Sequence, residues 1–261
     1  MLPSLLAVTL PSACVGTRAR VIGVAPGEST GLQPPSVWHP QLEPPPQVCT
    51  TFELHALAAA PEIQPTARTE DGLPVPVRVG DWTVAASRDE RGQVLLQAEA
   101  DGRTIGPTPI IGELPAFLAM VPDGDTLVLA YTVYRRLLYA RWQPSTGMFV
   151  HAPSLVVDDL PICKPYPRVT DAVVHEGITY VAVAASALGQ HGPCAGYDRK
   201  TTHLSATIAI ARNGLATEPM RHPIADADAR LDVVGGEVVG RQQSWLGERT
   251  AGFRVRCASA P

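Results

Sequence analysis

The sequence predicts an all-β domain, and three observations lead there. From about residue 50 onward apolar residues recur with a period near two, while helical periodicity is weak. Turn residues punctuate this pattern every 8 to 12 positions. Four stretches also resemble one another: GDWTVAASRDERGQVLLQAEADG, GDTLVLAYTVYRRLLYARWQPSTG, GITYVAVAASALGQ continuing to HLSATIAIARNG, and GGEVVGRQQSWLGERTAGFRVR. Each opens at a glycine turn, runs apolar, turns and runs apolar again. The openings at Gly80, Gly124, Gly177 and Gly235 are 44, 53 and 58 residues apart, the longer intervals containing insertions.

A period of roughly 40–50 residues holding four short strands resembles the blades of a β-propeller. The first unit has strands expected near 75–79, 81–87, 93–99 and 103–110, and the second near 115–121, 125–134, 136–143 and 147–151. In the third they fall near 168–175, 177–185, 203–212 and 215–220. The last has only three, near 229–234, 236–244 and 249–257. Propellers often take a missing strand from the other end of the chain. VCTTFELHALAAA, residues 48 to 60, is the natural donor, closing the ring, or else the start of a fifth blade. The expectation is a four- or five-bladed β-propeller-like domain over 48–261 whose ring is closed by an N-terminal strand. No WD or kelch signature repeats, so the resemblance is architectural and carries no function. A β-sandwich is the alternative.

The first 47 residues read differently. LLAVTLPSAC, residues 5 to 14, is an uncharged apolar run ending in small residues and a cysteine. It resembles the lipobox of bacterial lipoproteins, which implies a signal segment over 1–14 and lipidation of Cys14. Pro11 stands where that family usually has leucine, and no Lys or Arg precedes the run. Residues 15–47 form the expected tether: residues 26 to 47 hold seven prolines, which fix φ, lack N–H donors and favour an extended chain. No apolar stretch reaches the roughly 18–20 residues of a transmembrane helix, so membrane attachment is expected only through the lipid. The resemblance implies an exported, membrane-anchored lipoprotein, in the periplasm or at the cell surface. Five cysteines leave four once Cys14 is set aside, enough for two disulfides in an oxidising compartment. The propeller sketch pairs Cys163 with Cys194 across two loops of one face, and Cys49 with Cys257 where the ring closes.

In propellers, ligands usually meet the face formed by loops between the second and third strands of each blade and by the inter-blade loops. Here SRDERG (87–92) offers Arg88, Asp89 and Arg91, and VYRR (133–136) offers Arg135 and Arg136. DDLPICKPYP (158–167) adds Lys164 and Tyr166. The long loop 186–203 holds His191, Tyr197, Asp198 and Arg199, and SWLGER (244–249) holds Trp245 and Arg249. Loops longer than hairpins require are often functional, although a solvated polar rim reads the same way. The arginines favour an anionic ligand. SRDERGQVLL weakly resembles the Asp-box of sialidases, with an extra residue before Gly92 and leucine in place of the aromatic; that box is a structural turn.

Several chemistries find no support. His191, Cys194, Asp198 and His203 are zinc-ligand types, but H-x2-C-x8-H matches no tight zinc pattern. DADARLD, with Asp226, Asp228 and Asp232, lacks the glycine and distal glutamate of a calcium loop. There is no phosphate loop, G-x-S-x-G elbow or HExxH, so no cofactor, metal or catalytic residue is implied. A net charge of −4 argues against nucleic-acid binding by bulk charge. The leading expectation is a cell-envelope module that binds a protein or glycan without catalysis. Against it stand an extracellular polysaccharide hydrolase or lyase and a structural subunit of an envelope assembly.

Overall fold

The apolar stretches of the repeats become strands, alternating in burial over Val94–Ala100 and Ala227–Val234 and buried on both faces over Thr126–Val133, Ile178–Ala184 and Ser205–Ala211, and the glycines mark the reversals. The computed structural model describes residues 51–110, 117–134, 136–158, 168–184, 205–224, 227–244 and 247–257. The chain divides into two units, Met1–Gln47 and Val48–Pro261, and every described residue lies in the second. The expected signal segment, the tether and Cys14 therefore lie outside the described residues.

In chain order the strands are β1 (Phe52–Leu57), β2 (Val77–Val79), β3 (Trp82–Arg88), β4 (Val94–Ala100) and β5 (Arg103–Pro109). There follow β6 (Phe117–Asp123), β7 (Thr126–Val133), β8 (Arg136–Gln143), β9 (Met148–Val157), β10 (Arg168–His175) and β11 (Ile178–Ala184). The last five are β12 (Ser205–Ala211), β13 (Met220–Arg221), β14 (Ala227–Val234), β15 (Glu237–Ser244) and β16 (Thr250–Cys257). They form four four-stranded antiparallel sheets: β2-β3-β4-β5, β6-β7-β8-β9, β10-β11-β12-β13 and β14-β15-β16-β1. The last sheet is completed from the N-terminal side. β1 pairs with β16 from Phe52 opposite Cys257 to Leu57 opposite Gly252.

Two strand boundaries differ from expectation. β9 runs on to Val157 instead of stopping near 151, with three register shifts absorbed against β8. β13 shrinks to two residues. The pairing begins with a bridge between Ile210 and Ala216, and Pro219 then lacks the N–H that would continue the ladder.

Apolar packing lies between the sheets. One core joins the first and second sheets around Val84, Leu96, Leu129 and Trp142. A second joins the next pair around Val128, Tyr139, Val183 and Ile208, and a third joins the last pair around Tyr180, Ala209, Leu231 and Phe253. Three successive face-to-face cores across four sheets make a propeller-like stack; a two-sheet sandwich has one. Each fully buried Leu, Val or Ile side chain contributes about 1.5–3 kcal/mol of transfer free energy.

The first strand of each sheet is the innermost. β2 lies against β6, β6 against β10, and β10 against β14, forming a hub. The strap between β1 and β2 crosses it, leaving the outer strand of the fourth sheet, touching the second and third and ending at the inner strand of the first. At its start the strap runs close over Gly252, where a Cβ would stand 2.7 Å from the Ala59 carbonyl oxygen.

Antiparallel order fixes two ends. β3–β4, β7–β8, β11–β12 and β15–β16 are joined at one end, as are successive sheets; this is the loop end. β2–β3, β6–β7, β10–β11 and β14–β15 are joined at the other, the turn end.

Candidate functional site

The hub carries a cluster of charge that three elements bring together. Arg168 opens β10 at the loop end, and its Nη2 donates to both carboxylate oxygens of Asp228 on β14 at 2.7 Å. Both side chains retain about a quarter of their exposure, 26% and 29%. Deeper in, Arg230 of β14 donates through Nη1 to the Thr170 carbonyl of β10. Thr170 Oγ1 donates to the Ala229 carbonyl at 2.9 Å, so the two inner strands are laced by side chains. From the strap, Arg68 donates to the carbonyls of Gly72 (2.8 Å), Leu118 (3.2 Å) and Val169 (3.4 Å).

Asp171 sits buried among them. Its Oδ1 accepts from Thr66 Oγ1 at 2.8 Å and from the Ala172 N–H at 3.0 Å, and its Oδ2 accepts from the Leu231 N–H at 2.9 Å. Burial pushes this carboxyl up; its hydrogen bonds and the nearby Arg230 oppose that shift. Burial lowers the pKa of the Arg68 guanidinium. Arg230 and Arg168 lower it further, and Asp171 alone pulls the other way. Among the described residues the hub thus holds three guanidinium groups against two carboxylates.

The loop residues nominated from sequence are placed as follows. Arg88 ends β3, is exposed, and donates to the Gly92 carbonyl at 3.0 Å. Asp89 Oδ1 accepts from the backbone N–H groups of Arg91 (2.9 Å) and Gln93 (2.7 Å), so this carboxylate shapes the β3–β4 turn. Arg136 opens β8 and pairs with exposed Asp158 at 3.1 Å. Arg249 is exposed just before β16, its backbone N–H held by Ser244 Oγ at 3.1 Å. All of these stand at the loop end. Arg135, Lys164, Tyr166, His191, Tyr197, Asp198, Arg199 and Trp245 lie outside the described residues, as do Cys49, Cys163 and Cys194. Cys257 ends β16 opposite Phe52. Among the described residues, no group of three or more His, Cys, Asp or Glu side chains is placed to hold a metal ion.

Sequence reasoning missed the hub. Its signal was present: Arg168 and Asp171, and Asp228 and Arg230, are charges inside the predicted first strand of a repeat or beside it, where apolar alternation should hold.

A second buried polar group lies farther out. His222 follows β13 and bonds Ser205 Oγ through Nδ1 and Thr207 Oγ1 through Nε2, both at 2.8 Å. Its ring stacks on Phe253 of the fourth sheet at 4.6 Å, and burial lowers its pKa to about 3. With hydroxyls on both nitrogens and, among the described residues, no carboxylate behind it, this imidazole joins two sheets as a neutral connector.

No protein-family model and no curated protein matches the chain. Solved structures similar to it include GH43B of the Bacteroides ovatus xyloglucan PUL (TM-score 0.41, 11% identity, 71% of this chain and 40% of that one). Others are a gluconolactonase from Xanthomonas campestris (0.39, 12%, 69% and 56%) and an arginine-substituted form of AofleA from Arthrobotrys oligospora (0.42, 13%, 81% and 62%). The chain thus spans 40%, 56% and 62% of their lengths.

Proposed function

We propose that the protein is a non-catalytic binding module that grips a carboxylate-bearing glycan at the loop end of its hub. The carrying observation is the hub's charge arrangement: among the described residues three guanidinium groups face two carboxylates, and both carboxylates already serve the fold. Asp171 accepts three hydrogen bonds, and Asp228 takes Arg168 through both oxygens. Arg230 is half-buried and, among the described residues, donates through Nη1 alone, so Nε and Nη2 are offered to a ligand. A guanidinium fork matches a carboxylate in shape and charge. Arg88, Arg136 and Arg249 extend cationic contacts over several strand ends, which suits an extended ligand better than a small ion.

Calorimetric titration with a purified oligogalacturonide tests the reading. Binding is expected at about 0.1 M salt and should weaken toward 1 M, as the screening length falls from about 10 to 3 Å. Arg230→Gln should weaken it further, and uncharged dextran should not bind. Salt-independent binding, or binding untouched by Arg230→Gln together with Arg136→Ala, would overturn it.

One observation favours a second reading, a polysaccharide hydrolase. Asp171 is a buried hub carboxyl whose pKa is raised by desolvation, as a general acid requires. On that reading the protein shortens the oligosaccharide and Asp171→Asn abolishes the cleavage. The binding reading has no turnover to lose.

The site of action in this proposal is the periplasm or cell surface, with the lipid on Cys14 as anchor. Labelled palmitate should enter the wild type and not Cys14→Ser; a mature cytosolic protein that retains Met1 would contradict this.

A further inference from the structure

The two-residue reversals at the two ends of the sheets are built differently. At the turn end each contains glycine: Gly80–Asp81, Asp101–Gly102, Gly124–Asp125, Glu176–Gly177 and Gly235–Gly236. Their glycines have φ between 57° and 78°, the left-handed region that tight hairpins need and that glycine enters without steric cost. At the loop end Val133 pairs with Arg136, and neither residue between them is a glycine. Tyr134 has φ 52°. Asp and Asn tolerate that region through local hydrogen bonds, whereas a bulky aromatic there is a steric outlier.

A bulky residue kept at a strained position points to a use for its side chain. Tyr134 is 53% exposed. Phe117, which opens inner strand β6 at the same end, is 36% exposed and pairs with Thr132, two residues before Tyr134. Among the described residues these are the two large aromatic side chains left exposed. Both stand at the end that carries Arg136 and the Arg168–Asp228 pair. An aromatic face offers the C–H face of a pyranose ring a flat apolar surface, and tyrosine does so at low entropic cost because it has few rotatable bonds.

We propose that Tyr134 and Phe117 form the platform on which a sugar ring of the ligand stacks, beside the arginines that take its carboxylates. This rests on the binding-module reading above. It makes a prediction of opposite signs. Tyr134→Gly relieves the strained turn, so the urea midpoint should hold or rise, while affinity for the oligogalacturonide falls tenfold or more. Tyr134→Phe keeps the ring and should retain affinity within about twofold; Phe117→Ala should weaken binding with the fold intact. Wild-type binding with unchanged affinity in Tyr134→Gly overturns the platform and leaves the module standing. Stability and affinity falling together in Tyr134→Gly, with Tyr134→Phe also defective, assigns the side chain to packing and overturns the platform. A wild type that binds no oligogalacturonide overturns both.

Discussion

Protonation of His222 should make the fold acid-labile in a way that one substitution removes. In the native state the imidazole is buried between Ser205, Thr207 and the Phe253 ring, and burial keeps it neutral down to about pH 3. In the unfolded chain a histidine protonates near pH 6.5. The folded pKa is depressed, so the unfolded state binds more protons between these values. Stability is full above about pH 6.5 and is lost as pH falls toward 3. The slope approaches about 1.4 kcal/mol per pH unit, which amounts to roughly 2 kcal/mol between pH 7 and pH 5. Urea unfolding at both pH values, on wild type and His222→Gln, isolates the contribution, because every other titratable group is common to both proteins. The variant should be less stable at pH 7, having lost the stacked ring, and should lack this 2 kcal/mol of acid sensitivity. Equal loss in both proteins between pH 7 and pH 5 would refute the reasoning.

Three packing predictions follow from contact geometry. A Cβ on Gly240 would stand 2.0–2.5 Å from the buried Phe253 ring, so Gly240→Ala should destabilise by about 1–3 kcal/mol in denaturant unfolding; a neutral result contradicts the packing between β15 and β16. Gly252→Ala would meet the Ala59 carbonyl and Ala60 Cα at 2.7 Å, and should expose the strap to limited proteolysis ahead of global unfolding. Asp123 holds Arg141 at 2.6 Å with side-chain exposures of 12% and 10%, and reaches Arg212, in the turn that follows β12, at 3.3 Å. Asp123→Ala strands a buried guanidinium and should cost about 3–5 kcal/mol, while Arg212→Ala, which removes an exposed partner, should cost under about 1 kcal/mol.

The strands were legible because the two signals that make them are local. Alternation sets the faces, and glycine at Gly80, Gly124, Gly177 and Gly235 permits the positive φ of the reversals. Even the long-range pairing of β1 with β16 was readable, since the last repeat lacked a strand and residues 48 to 60 offered one. The path of the strap was not. Thr66 and Arg68 sit in a polar, proline-containing stretch, and only the packing of the sheets around the hub brings them to Asp171, Leu118 and Val169. The hub charges were visible but read as interruptions of a strand pattern. An inner strand differs from its neighbours because part of its surface faces the hub, where guanidinium groups find carbonyls and carboxylates. Asp89, expected to meet a ligand, also shapes its own turn, through Oδ1. An almost unbroken apolar run leads up to Tyr134 and hides the end of the strand; its positive φ goes with the tight pairing of Val133 with Arg136.

Equilibrium dialysis against a purified oligogalacturonide, with the mass of the recovered sugar read at the end, tests the central claim most directly. The account predicts that the sugar accumulates on the protein side at about 0.1 M salt and is recovered at its original length. Equal distribution across the membrane, or recovery of shortened fragments, would contradict it.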